Sequence, residues 1–234
     1  MNRRTRLWLL TLLPLPTLLQ ASEPLLESTY KARYRGFDLE LTRTLTPLGN
    51  DQFRFDSIAD SALAQIEESS TFSRDSRGKW TPHHYSYSQK IFGLSKGYEL
   101  QFNEAGGKAT YSDKDGDKTI SISPDTLDPL LYQLRMQHDI ARQRGGYSYH
   151  FLRRGKLKRY TFKVEGQDVL PLNGEGVETT RLVKDDGDDD TRIWFSNGDG
   201  YQLTRLTYSD DGETYEINLD SVRAAPGFEA WISE

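Results

Sequence analysis

Four histidines, His83, His84, His138 and His150, carry most of the acid–base chemistry open to this sequence. His83 and His84 follow Pro82 and enter a stretch with strand character. Neighbouring residues of a strand point to opposite faces, so the two cannot easily chelate one metal. No H-x-x-x-H or H-E-x-x-H spacing occurs. A Ser/His/Asp triad is assembled in space and not along the chain. His138 or His150 would therefore have to meet a carboxylate and a hydroxyl in one cleft, and the simpler reading is of surface or interfacial histidines. No catalytic residue is nominated.

The acidic clusters raise calcium as an option. Asp113, Asp115 and Asp117 alternate, and Asp185 to Asp190 hold five aspartates around Gly187. A calcium loop of the helix–loop–helix type needs Gly at its sixth position and Glu at its twelfth. Counted from Asp113, the fourth position is Gly116 and the twelfth is Pro124. Hairpin tips rich in Asp and Gly account for both clusters, so no metal and no cofactor are expected.

Two further groups of side chains have binding potential. Trp80, Tyr85, Tyr87 and Phe92, with Leu130 and Leu134 from a helix, could line a groove for an acyl chain or apolar peptide. The competing reading is ordinary core. Arg142, Arg144, Arg153, Arg154, Lys156, Lys158 and Arg159 form a basic patch within a stretch, Ile140 to Val164, that holds eight Lys or Arg and no acid. Such a patch suits an anionic lipid or acidic partner. It also suits a helix dipole and a guarded sheet edge. From Glu165 to Glu234 the balance reverses, with 5 basic against 17 acidic residues. That acidic half is a third possible counterpart for the patch.

The elements that position these residues follow from period and punctuation. Phe37, Leu39 and Leu41 alternate with polar residues, as do Phe53 and Phe55, Tyr85 and Tyr87, and Tyr147, Tyr149 and Phe151. This is the pattern of half-buried strands. Turn signals separate the runs at Gly49-Asn50-Asp51, Gly106-Gly107, Arg154-Gly155-Lys156, Asn197-Gly198 and Asp211-Gly212. About twelve to fourteen strands in an antiparallel meander are expected. One helix interrupts it, with Asp128 as N-cap, Pro129 at its first position and Gly145-Gly146 as its stop. A weaker helical candidate lies near Asp60 to Gln65. The predicted fold is mainly β: a curled antiparallel sheet, open half-barrel or barrel-like, with the amphipathic helix packed on its concave face.

The first 22 residues differ from the rest. Arg3, Arg4 and Arg6 precede an apolar run from Leu7 to Leu19 and then Gln20-Ala21-Ser22. This is the layout of a secretory signal peptide cut near Ala21. The run is short of the roughly 20 residues of a membrane span. Residues 23–234 then form a single β domain, with a sub-sheet junction near 166–176, and no later segment resembles a membrane helix. Export from a Gram-negative-type cell to the periplasm is expected. The absence of Cys excludes disulfides, thiol catalysis and a lipidated N-terminal cysteine. Three of the 30 basic residues lie in the leader, which leaves 27 against 35 acidic and a net charge of -8. Nucleic acid is an unsuitable partner for that charge.

Several segments together resemble a family. Tyr30-Lys31-Ala32-Arg33-Tyr34-Arg35-Gly36 is similar to its first strand, and Pro82-His83-His84-Tyr85 to its central strand. Leu127 to Met136 is similar to its helix. Tyr160 to Gly166, Arg192-Ile193-Trp194-Phe195 and Tyr215-Glu216-Ile217 are similar to its C-terminal strands. The family is an exported proteobacterial one of unassigned function. More distantly, the layout resembles the half-barrel of the periplasmic lipoprotein carriers, which implies lipid or acyl-chain binding by analogy of fold alone. Three functions are weighed. The first is a periplasmic, non-enzymatic carrier or sensor of a lipid, acyl chain or lipoprotein, which a cavity beneath the helix would favour. The second is an interaction module for an envelope protein assembly, which a solid core would favour. The third, supported least, is a glycan or peptide hydrolase.

Overall fold

A computed structural model describes residues 22–34, 37–103, 105–185, 190–210 and 213–234. The leader lies outside the described residues, as do Asp186 to Asp189 of the second acidic cluster.

The alternating segments form strands. They are β1 (Leu26–Tyr34), β2 (Phe37–Gly49), β3 (Gln52–Asp60), β4 (Ala64–Arg74), β5 (Trp80–Ile91), β6 (Leu94–Asn103), β7 (Lys108–Asp113) and β8 (Gly116–Ser121). After a two-residue β9 (Thr126–Leu127) comes helix α1 (Leu131–Ala141). Then follow β10 (Tyr147–Arg153), β11 (Lys156–Leu172), β12 (Glu175–Lys184), β13 (Arg192–Ser196), β14 (Leu203–Asp210), β15 (Glu213–Ala224) and a short helix α2 (Phe228–Ser233). The described residues thus hold one strand more than the upper end of the expected range. The extra one is the two-residue β9, too short for any periodicity to reveal.

All strands belong to one sheet, in the order β8-β7-β6-β5-β4-β3-β2-β1-β15-β14-β13-β12-β11-β10-β9. Two meanders, one from each half of the chain, are joined where β1 pairs with β15. Neighbours are antiparallel apart from the β9–β10 contact. Bulges at Thr29/Tyr30, Thr71/Phe72, Val164/Gly166 and Trp194/Phe195 add local twist. A sheet this wide curls. It does not close by hydrogen bonds, because β8 and β9 remain as its edges. The tip of the β10–β11 hairpin nevertheless reaches across, so that a Cβ built on Gly155 would lie 3.4 Å from the Tyr111 ring of β7. The stretch 166–176 lies within β11 and its hairpin to β12, turned by Asn173-Gly174.

Helix α1 lies on the concave face. Leu131, Leu134, Met136, His138 and Ile140 are buried. Asp128 caps it from outside the regular turns, its Oδ1 accepting the backbone N–H of Leu130 at 2.9 Å and of Leu131 at 2.7 Å. The helix therefore starts slightly later than expected, and it ends at Ala141, ahead of the Gly145-Gly146 stop. The helical candidate near Asp60 to Gln65 is corrected: β3 runs through Asp60 and β4 starts at Ala64. Ser61 Oγ accepts the Ala64 N–H at 3.1 Å and turns the chain there. Such side-chain bonds compete with helix formation. Helix α2 was not expected. It is six residues long, too short for a periodicity signal, and is held by buried Phe228 and Ile232.

Candidate functional site

The strands run end to end along the curled sheet, so their inward residues fall into layers, and the two ends differ. At the helix end the space is filled. Trp80 stacks on Phe72 (centroids 5.2 Å apart) and on His138 (5.4 Å). Trp231 of α2 meets Phe53 at 5.0 Å and Trp80 at 5.7 Å. The Arg74 guanidinium lies over both Trp80 and Trp231 and donates to the Trp231 carbonyl. His138 Nδ1 donates to the Ile232 carbonyl at 3.0 Å. Burial, with Arg135, Arg74, Arg142 and Arg144 nearby, lowers the His138 pKa to about 3, so the ring is neutral. The gap between α1 and Leu26, Tyr30, Phe55 and Phe195 is about 10 Å³, room for at most one water. A cavity beneath the helix, the feature that would have favoured a carrier, is therefore not what the structure provides.

A tyrosine-rich layer separates this packed end from the other. Tyr85 is fully buried and donates to Glu68 Oε1 at 2.5 Å. Its ring lies 5.7 Å from that of Tyr98, which contacts Tyr87 and Tyr111 in turn. Tyr132 of α1 stacks on Phe151 at 4.5 Å. Desolvation raises the Tyr85 and Tyr132 pKa values, so both are hydroxyl donors at any ordinary pH.

The opposite end is open. Leu39 and Leu41 of β2, Ile66 of β4, Ile91 of β5 and Ile217 of β15 surround an apolar cavity of about 400 Å³. Ala32 and Ala59 are small residues on the same wall, where larger side chains would fill the space. Phe92 and Arg154 stand at its rim, with Tyr87, Tyr208 and Tyr215 alongside. Phe92 is 65% exposed, and Leu63 and Leu94 beside it are 46% and 73% exposed.

The predicted groove residues are thus divided between the ends. Trp80, Leu130 and Leu134 lie in the packed end, and Tyr85 in the tyrosine layer. Tyr87 and Phe92 lie at the open mouth. The basic patch is likewise divided. Arg142 donates to the Glu234 carbonyl at the helix end, and Arg144 lies 3.9 Å from Asp139. Arg154 is at the mouth, next to Arg153, whose charge faces Tyr160, Tyr98, Tyr132 and Glu68. Lys156, Lys158 and Arg159 are exposed along β11, Arg159 donating to Ser148 at 3.1 Å. As to the acidic half of the chain, Lys163 is paired with Asp185 at 2.5 Å. The wall residues Leu41, Ala59, Ile66 and Ile217 were not foreseen. Alternation marks them as inward-facing, but nothing local tells a filled layer from an empty one.

The groups with catalytic potential do not converge. His138 is enclosed by tryptophan, and His150 is exposed on β10. His83 Nε2 lies 3.0 Å from Ser73 Oγ on the neighbouring strand, and His84 Nε2 lies 3.4 Å from Glu99. The chain also contains a G-x-S-x-G spelling, Gly93-Leu94-Ser95-Lys96-Gly97. It falls in a strand-to-strand hairpin, whereas a nucleophile elbow needs a strand-to-helix turn. Among the described residues no three His, Asp or Glu side chains are grouped to hold a metal. Asp113 instead serves its hairpin, accepting the Tyr111 hydroxyl at 2.6 Å and the Asp115 N–H at 2.8 Å. No helix among the described residues is long and apolar enough to cross a membrane.

Comparison with known proteins assigns the chain to a family. Residues 29–220 match the family described as protein of unknown function (DUF3108), and the chain belongs to that family. No curated protein matches it. Among solved structures, a β-barrel-like protein of the DUF1849 domain of unknown function from Brucella abortus is similar, with a TM-score of 0.55 at 12% identity. The match covers 87% of this chain and 98% of that one, and it extends to the fold alone. A Vibrio parahaemolyticus domain described as an outer membrane lipoprotein-sorting protein is matched over 86% of each chain at 10% identity. Its TM-score of 0.25 supports no structural argument.

Proposed function

We propose that this member of the DUF3108 family is an exported, non-enzymatic binding protein of the cell envelope whose open end accepts a lipid or acyl chain. One observation carries the reading: the curled sheet is filled at the helix end and left unfilled and apolar at the other. Interiors normally pack with few voids larger than a water. An apolar space of this size is within the range of about 300–1,000 Å³ typical of ligand sites. Exposed Phe92 and Leu63 at the rim give an acyl chain an apolar path from solvent. The leader-like first 22 residues place the protein, in this proposal, in the periplasm after a cut near Ala21.

Native mass spectrometry of the mature protein from the periplasm, followed by denaturing lipid extraction, tests the proposal. A stoichiometric acyl-bearing species is expected. Ala59→Phe, which fills the mouth, should remove that species while the fold is retained. An apo mass that stays unchanged when lipid is added would sink the reading.

A further inference from the structure

Beside the apolar mouth lies a second cavity of about 440 Å³ with a different lining. Lys96, Lys114 and Arg154 supply three cations there, against the single carboxylate of Asp113. That carboxylate is already engaged by the Tyr111 hydroxyl and the Asp115 N–H, and Lys114 pairs with Asp115 at the hairpin tip. Tyr87, Gln89 and Arg154 line both cavities and are the boundary between them. A cationic groove thus opens directly off an apolar pocket, in a chain with 30 basic against 35 acidic residues.

Arg154 is the residue at the junction. Its guanidinium contacts the Tyr87 hydroxyl, and among the described residues it forms no ion pair with a carboxylate. Its backbone is also informative. Among the described residues, four hairpins turn through two residues with the first at positive φ: Asn50, Phe92, Arg154 and Asn173. Asn is the residue such a turn favours. Phe92 and Arg154 are not, and these two are the rim residues of the mouth. Unfavoured residues held in a left-handed conformation cluster at ligand sites, because the side chain is needed there.

We infer that the ligand is a single-tailed amphiphile with an anionic oxygen-bearing head, a carboxylate or phosphate ester, its tail in the apolar mouth and its head against Arg154 and Lys96. This rests on the reading of the mouth as an acyl site. The volume of about 400 Å³ is near the lower end of ligand sites and suits one tail. A guanidinium forms charge-assisted, bidentate bonds with either head.

Titration calorimetry of the mature protein with four dodecyl probes decides the matter: dodecanoate, dodecyl phosphate, zwitterionic dodecyl phosphocholine and neutral dodecanol. Both anions should bind at least about tenfold more tightly than dodecanol, with the gap narrowing as salt rises. Arg154→Asn, a residue the turn favours, should keep the fold and bring both anions to within about twofold of dodecanol. Lys96→Gln should reduce the preference in part. The tighter of the two anions identifies the head. Dodecanol binding as tightly as the anions, or an undiminished preference in Arg154→Asn, would overturn the head assignment alone. No binding of any dodecyl probe would overturn the acyl reading of the mouth as well.

Discussion

The two ends of the curled sheet are made from the same alternating strands yet are finished in opposite ways. At the helix end, Phe72, Trp80, Leu134 and Phe228 are at most 3% exposed, and α2 covers what the sheet leaves open. At the mouth, the same sheet places Leu39, Ala59, Ile66 and Ile217 around an open cavity, and no helix among the described residues covers them. Both are apolar, so hydrophobicity does not distinguish a core from a site. What distinguishes them is whether an element of the chain itself occupies the space.

The largest test of this contrast is truncation. Leu134→Ala opens a cavity in a packed end and should cost about 2–5 kcal/mol. Ile217→Ala at the mouth enlarges a space that already exists and should cost about 1 kcal/mol. Denaturant unfolding of the two variants gives the comparison directly. Equal losses would mean that the mouth is packed in solution and the two ends are alike.

Titration gives the next contrast. Burial lifts the Asp128 pKa from 3.8 to about 6, against the opposing pull of the Ser70 hydroxyl and the Leu131 and Leu130 N–H groups. From about pH 4 to 6 the folded chain therefore retains a proton that the unfolded chain has released. The stability contributed by this proton is full below the unfolded value and lost as pH rises, by about 3 kcal/mol. His138 acts in the opposite sense. Its folded pKa of about 3 lies below the ordinary 6.5, so its contribution is present above 6.5 and lost as pH falls. The two slopes oppose each other, and the wild type should show a shallow profile between about pH 4 and 6. Asp128→Asn should expose a stability that rises with pH, and His138→Gln one that falls. Thermal melts across that range check both. Mouth variants such as Ile217→Ala should leave the profile unchanged.

The same contrast explains what could be read from sequence. Alternation at Tyr147, Tyr149 and Phe151 identifies strand and face together, since both follow from a period of two. The helix is legible because Asp128 and the leucine spacing agree with each other. The β3–β4 connection misleads because Ser61 binds its own backbone, a choice that residue spacing does not register. The mouth is the least legible feature. Leu41, Ile66 and Ile91 come from β2, β4 and β5 and Ile217 from β15 at the far end of the chain, and whether they meet is decided by the width and curl of the whole sheet. Trp80 and Tyr87, seven residues apart on β5, read as one aromatic group and lie at different ends because the strand runs between them. One local clue was available. Arg154-Gly155 and Phe92-Gly93 place residues that such turns disfavour where Asn would serve better.

The smallest effect is also the most diagnostic, and it concerns that clue. A residue other than Gly, Asn or Asp in the left-handed region costs about 1–2 kcal/mol. Arg154→Asn should therefore stabilise the ligand-free protein by up to about 1 kcal/mol, a rise in Tm of about 2–4 °C for a chain of this size. The reverse change at the tip distant from the mouth, Asn173→Arg, should lower Tm by a similar amount. Scanning calorimetry of the delipidated proteins measures both. A gain in stability coupled to a loss of anionic amphiphile binding is the trade expected where a strained residue is kept for its contacts with a ligand. If Arg154→Asn instead lowers Tm, the arginine side chain's bond to the Tyr87 hydroxyl holds the curled sheet together. The open end would then be a structural seam like the closed one.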